Sequence, residues 1–165
     1  MNDAAIQYAR TPHWGYVILT MVIALLLSVI PLPENIKNYW PDWISLLVFY
    51  WVLVLPAHLG VMFGWMNGLL EDIISFSLLG EHAIGKALIG TVVAMTSHSV
   101  RRFNFIERMF LLFILQSLSI AIVAWANLLA FDTPIHSALW RPALTTALAW
   151  PLVAFLLDQF DPGLD

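Results

Sequence analysis

Uncharged apolar runs at 14–33, 43–70, 87–100, 109–131 and 142–157 dominate the chain and leave little sequence between them. Roughly 20 residues of α-helix cross the hydrocarbon core of a bilayer, and a spanning helix satisfies its own backbone hydrogen bonds there. The runs therefore predict an all-α integral membrane protein, with residues 1–165 as one transmembrane domain. Composition agrees, since 11% of residues are charged against roughly 25% in soluble domains. A net charge of −4, with seven Lys and Arg, argues against a nucleic-acid partner. The absence of Cys excludes disulfides and thiolate metal sites. The first run follows Arg10, yet Ser28-Val29-Ile30 lacks a small-residue cleavage pattern, so it is expected to remain as an anchor.

The run 43–70 is too long for one comfortable crossing, because ~28 residues make about 42 Å of helix. Pro56, followed by Ala57-His58-Leu59-Gly60, supplies a helix stop and a hinge. Splitting there predicts a six-transmembrane-helix bundle with spans near 14–31, 40–55, 58–78, 83–100, 107–129 and 138–157. A five-span bundle with one long kinked helix is the rival. Orientation follows from Arg101, Arg102 and Arg108, the clustered positive charge, which the positive-inside rule places in the cytoplasm. With six spans both termini are then cytoplasmic, Arg10 joins the inner side, and Lys37, Lys86 and Arg141 lie outside. Trp40, Trp43, Trp125 and Trp140 fall near the outer helix ends, where an aromatic belt belongs. The acidic stretch 158–165 reads as a solvated helix end.

Within the third span Gly60, Gly64 and Gly68 recur every four residues and Asp72 continues the spacing. On a helix these positions share one stripe. Each interior Gly would weaken a helix in water, but in a bilayer small residues let a second helix approach closely. The stripe is thus a candidate helix-packing or partner interface. Asp72 has two readings: a buried group that fixes a helix contact or lines a cavity, or a head-group residue that ends the span. Glu71 points about 100° away on the helix, toward water or a Lys or Arg partner. Asn67, one turn earlier, is placed to hydrogen-bond Glu71. Asn67, Glu71 and Asp72 together form a candidate buried polar site.

Several patterns are set aside. Gly80-Glu81-His82-Ala83-Ile84-Gly85-Lys86-Ala87 matches a phosphate loop up to Ala87, which lacks the hydroxyl that binds Mg²⁺. It reads instead as a loop with Gly at a helix terminus and Lys86 reaching up to the head groups. His13, His58, His82, His98 and His136 lie near span ends rather than at ligand spacing, so no metal is expected. No nucleophile elbow or HExxH occurs, so neither catalytic residues nor a cofactor are expected. Thr91, Ser97, Gln116, Ser117, Ser119 and Asn127 can bond between helices, and Pro151 should bend the last helix.

Residues 41–51, then Leu55-Pro56-Ala57-His58, then 64–75 and Leu79-Gly80, resemble the MreD family of bacterial rod-shape-determining membrane proteins. Gly64, Gly68, Asp72 and Gly80 fall on the family's G-x-x-x-G-x-x-x-D…G pattern, whereas Gly60 and Glu71 lie outside it. The likeness is firmest over 41–80, and the last two helices match only in hydropathy and in Trp150-Pro151. The resemblance implies a non-enzymatic scaffold of the cell-elongation complex in the bacterial inner membrane. Its implied partners are MreC, then MreB, RodA and a class B penicillin-binding protein, besides membrane lipid. It also implies a fold similar to the substrate-binding subunits of energy-coupling-factor vitamin transporters. That likeness carries the alternative function, a small-molecule transporter subunit, with Trp40, Trp43, Asp132, His136 and Trp140 able to line its pocket.

Overall fold

The computed structural model describes residues 14–132 and 140–160. In chain order they form α1 (Trp14–Val29), the short α2 (Glu34–Lys37), α3 (Trp43–Val54), α4 (Val61–Ser75), α5 (Glu81–Arg101), α6 (Phe105–Phe131) and α7 (Arg141–Phe160). No strand occurs among the described residues. The run 43–70 is two helices rather than one kinked helix: α3 ends at Leu55, just before Pro56, and α4 restarts after Gly60.

Helix α3 is the centre of the bundle. Every residue from Ile44 to Val54 is buried, and α1, α4, α5, α6 and α7 all pack against it. A helix that is apolar on all faces belongs inside, and this one has no solvent or lipid face to serve. Its 12 residues make about 18 Å of helix, short of the roughly 30 Å hydrocarbon thickness. The predicted start at 40 moves to Trp43 because Asp42 is the N-cap, accepting 2.9 Å from the Ser45 N–H. At its middle, Phe49 and Tyr50 pack on Trp150 of α7, with ring centroids 4.9 and 6.2 Å apart.

The outer helices invert the soluble pattern. Apolar residues lie exposed at helical spacing: Ile18, Val22 and Leu26 on α1, Met62 and Met66 on α4, Leu144, Leu148, Leu152 and Phe155 on α7. The polar residues Ser45, Asp72, Lys86, Gln116, Ser119 and Thr146 are buried. Water favours the reverse arrangement, and a hydrocarbon surround favours this one. Two helices, α5 and α6, are by themselves long and apolar enough to cross a membrane, while α1 and α3 are apolar but shorter.

Helices join at the inward-facing polar residues. The Trp51 indole donates 3.0 Å to Thr20 Oγ1 and ties α3 to α1. Thr146 of α7 accepts 2.8 Å from the Asp42 N–H, and Tyr50 donates 2.7 Å to Asp158 near the end of α7. Asp158 is thus bonded inward rather than part of a free acidic tail; 161–165 lie outside the described residues. Asn104 opens α6 with a capping box, exchanging 2.9 Å bonds with Glu107.

Candidate functional site

The glycine stripe on α4 receives α5 of the same chain. A Cβ on Gly64 would lie 2.1 Å from the Lys86 carbonyl oxygen, and one on Gly68 would lie 2.5 Å from the Ala83 Cα. Neither position tolerates any side chain without the backbones separating. Gly60 differs, because its Cβ would meet only the Ala94 side chain at 3.6 Å. The close approach there is made from the other side by Gly90, whose Cβ would fall 2.6 Å from the Gly60 carbonyl oxygen. Gly90 escaped the sequence reading because its partners lie on another helix. The ridge is therefore filled internally, by α5 of the same chain.

Asp72 closes the stripe by capping the helix that fills it. Its side chain is buried and its two oxygens accept from the Gly80 N–H at 2.8 Å and the His82 N–H at 3.0 Å. Ser77 and the His82 ring add contacts at 3.1 and 2.8 Å. Gly80, at φ 104, supplies the left-handed turn that aims these N–H groups back at α4. A carboxylate at a helix N-terminus is favourable both as acceptor and against the helix dipole. Asp72, Glu81 and His82 present atoms within 4.8 Å of one another, a spacing that could hold a metal ion. The Asp72 oxygens are already committed to N–H donors, which accounts for the cluster without one.

Lys86 corrects the sequence reading most. Instead of reaching the head groups it is 0% exposed, with its ammonium 3.1 Å from Asp42 Oδ2 and in contact with Glu71 Oε2. Asp42 also accepts from the Ser45 hydroxyl and from the Gln116 amide, both at 2.8 Å. Three carboxyl and ammonium groups from α4, α5 and the start of α3 thus meet in the bundle, braced by α6. Such a group of charges is tolerable away from water only when paired and hydrogen-bonded. Gly64 makes the meeting possible, since it brings the Lys86 backbone against α4. Asn67 takes no part: its amide donates 2.8 Å to the Phe63 carbonyl and does not reach Glu71.

Two of the three clustered arginines are structural. Arg101 donates to the Leu53 carbonyl at 2.6 Å and the Val54 carbonyl at 2.7 Å, capping the C-terminus of α3. Arg108 donates to the Arg101 carbonyl at 2.6 Å and so caps α5. Cations at helix C-termini satisfy carbonyls that no intrahelical N–H can reach. Arg102 is exposed, as are Phe103, Phe105 and Ile106 beside it.

Of the residues the sequence offered for a transporter pocket, Trp40 and Trp43 stack edge to face at 5.8 Å, and Trp40 donates to the Leu27 carbonyl. Trp140 and Asp132 are exposed, and His136 lies outside the described residues. The groove of about 410 Å³ beside Glu71 has none of these on its wall.

A family model described as "rod shape-determining protein MreD" matches residues 9–160. The rod shape-determining protein MreD of Haemophilus influenzae is 28% identical over 154 residues, covering 89% of this chain and 91% of that protein. No solved structure matches significantly. With the family pattern spread over nearly the whole chain, and with Gly64, Gly68, Asp72 and Gly80 meeting at one helix contact, the chain belongs to the MreD family of rod-shape-determining proteins.

Proposed function

We propose that this protein is a six-span, non-enzymatic scaffold of the cell-elongation complex in the bacterial cytoplasmic membrane, with both termini inside. MreC is its nearest partner, and MreB, RodA and a class B penicillin-binding protein belong to the same assembly. The observation that carries this reading is where the polar side chains go. Among the described residues the buried carboxylates, Lys86, Arg101 and Arg108 bond to other helices of the bundle, which suits a rigid body better than a reaction centre. Family membership supplies the process, cell-shape determination.

With the glycine ridge occupied by α5, a partner's single span would dock on the exposed apolar faces of the outer helices. The exposed stretch at 102–106, running from the turn after α5 into the start of α6 with Arg102, Phe103 and Phe105, is suited to a filament or to anionic lipid. Affinity purification from detergent, with identification of the co-eluting membrane proteins, tests the reading. The expected result is recovery of an MreC-family protein. Recovery of ATP-binding transport subunits instead would overturn the scaffold assignment.

A further inference from the structure

The buried cluster is unbalanced. Asp42 and Glu71 bring two carboxylates to the one ammonium of Lys86. Asp42 is amply served, accepting from the Ser45 N–H and hydroxyl, Gln116 and Lys86. Glu71 is not: among the described residues Lys86 is its one cationic partner within ion-pair distance, and its side chain remains 15% exposed. Glu71 lines a groove of about 410 Å³ between the C-terminal ends of α1 and α4. That volume falls within the roughly 300–1,000 Å³ of small-ligand sites.

The wall of the groove has three parts. Leu25, Val29 and Ile74 make it apolar, Glu71 places a carboxylate on it, and Lys37 adds an ammonium with no ion pair among the described residues. Leu26 and Ile73, beside the lining residues Leu25 and Ile74 in sequence, are exposed apolar residues of the same two helices. The occupant must therefore satisfy a carboxylate and an ammonium together and carry apolar length. A lone cation would leave Lys37 unanswered and a lone anion would face Glu71. A zwitterion with tails answers both, and only one with N–H groups can hydrogen-bond the carboxylate.

We propose that this groove binds an aminophospholipid, with its primary ammonium on Glu71, its phosphate on Lys37, and its chains along α1 and α4. The proposal rests on the membrane-embedded reading above. The test is native mass spectrometry of the full chain in detergent with chain-matched phosphatidylethanolamine, phosphatidylcholine and phosphatidylglycerol. Phosphatidylethanolamine should be retained about tenfold over the other two, the worth of one charge-assisted hydrogen bond. Glu71→Gln should abolish that preference; Lys37→Gln, which removes the partner of a phosphate common to all three, should lower retention of all three lipids with the preference kept; and Ile74→Trp, which fills the groove without touching a charge, should reduce retention of all three lipids. Should Glu71→Gln fail to fold, the preference of the unaltered protein together with the lipid lost in Lys37→Gln and Ile74→Trp tests the proposal. Equal retention of the three lipids by the unaltered protein would overturn the proposal, as would a preference surviving in Glu71→Gln or undiminished lipid retention in Lys37→Gln. A chain that stays soluble without detergent and retains no lipid would instead overturn the membrane reading beneath it.

Discussion

Gly64 and Lys86 are in backbone contact: a Cβ on the glycine would stand 2.1 Å from the lysine's carbonyl oxygen, while the lysine's ammonium reaches Asp42 at 3.1 Å. One missing side chain on α4 thus sets where a buried charge on α5 can lie. The small-residue ridge and the ion cluster are two sides of the same helix contact.

The four-residue stripe is not uniform, and substitutions should show it. Gly64→Ala and Gly68→Ala force α4 and α5 apart and should each cost about 1–3 kcal/mol. Gly60→Ala makes an ordinary 3.6 Å contact, and Gly15→Ala meets nothing within 4 Å, so both should be near neutral. Thermal unfolding in detergent checks the ranking. Equal tolerance at all four positions would remove the close-packed contact from the account.

Removing Lys86 leaves two carboxylates facing each other inside the bundle. Lys86→Met should destabilise by about 3–5 kcal/mol, the usual cost of breaking a buried pair by one partner. Asp42→Asn keeps a capping side chain at the start of α3. The triple variant Lys86→Met, Asp42→Asn, Glu71→Gln removes every charge at once and should recover much of the loss. A triple variant no better than Lys86→Met would mean that the three groups are not coupled. The comparison is made on folded yield and unfolding temperature together.

Asp72 acts here as a cap on α5 with donors at 2.8 and 3.0 Å. Asp72→Asn retains one acceptor oxygen and should cost about 1 kcal/mol, while Asp72→Leu leaves buried N–H groups unpaired and should cost about 2–3 kcal/mol. Hydrogen exchange at Gly80 and His82 should accelerate in both, more in the second. Unchanged exchange in Asp72→Leu would show that other groups hold the turn.

Topology is open to cysteine labelling, because the chain has no Cys of its own. With an impermeant reagent in intact cells, Leu79→Cys in the α4–α5 turn should react, and Phe103→Cys in the α5–α6 turn should not. Ala5→Cys discriminates six spans from five and should also stay unlabelled. Labelling at position 5 would contradict the six-span arrangement.

The legible part of this fold was the part written in local spacing. Gly64, Gly68 and Asp72 could be placed on one face because helical period alone decides it, and Pro56 marked the break between α3 and α4. The partners were not legible, since the Lys86–Asp42 pair joins residues 44 apart in sequence. A lysine one turn into a transmembrane helix ordinarily reaches for the head groups, and only the buried carboxylates hold it back. The capping role of Arg101 was not legible for the same reason: its carbonyl acceptors on α3 lie 47 and 48 residues away. Asp42 followed by Ser45 was the one local signal for the cluster, a side chain ready to cap a helix start.

If this bundle holds the elongation machinery together, cell shape depends on it. Depletion of the protein from a rod-shaped cell, followed by microscopy and rescue with the unaltered chain or with Gly68→Leu, tests it most directly. Rounded cells are expected on depletion, with rods restored by the unaltered chain and no rescue by Gly68→Leu. Rods that persist through depletion, or a growth defect that a vitamin supplement repairs, would contradict it.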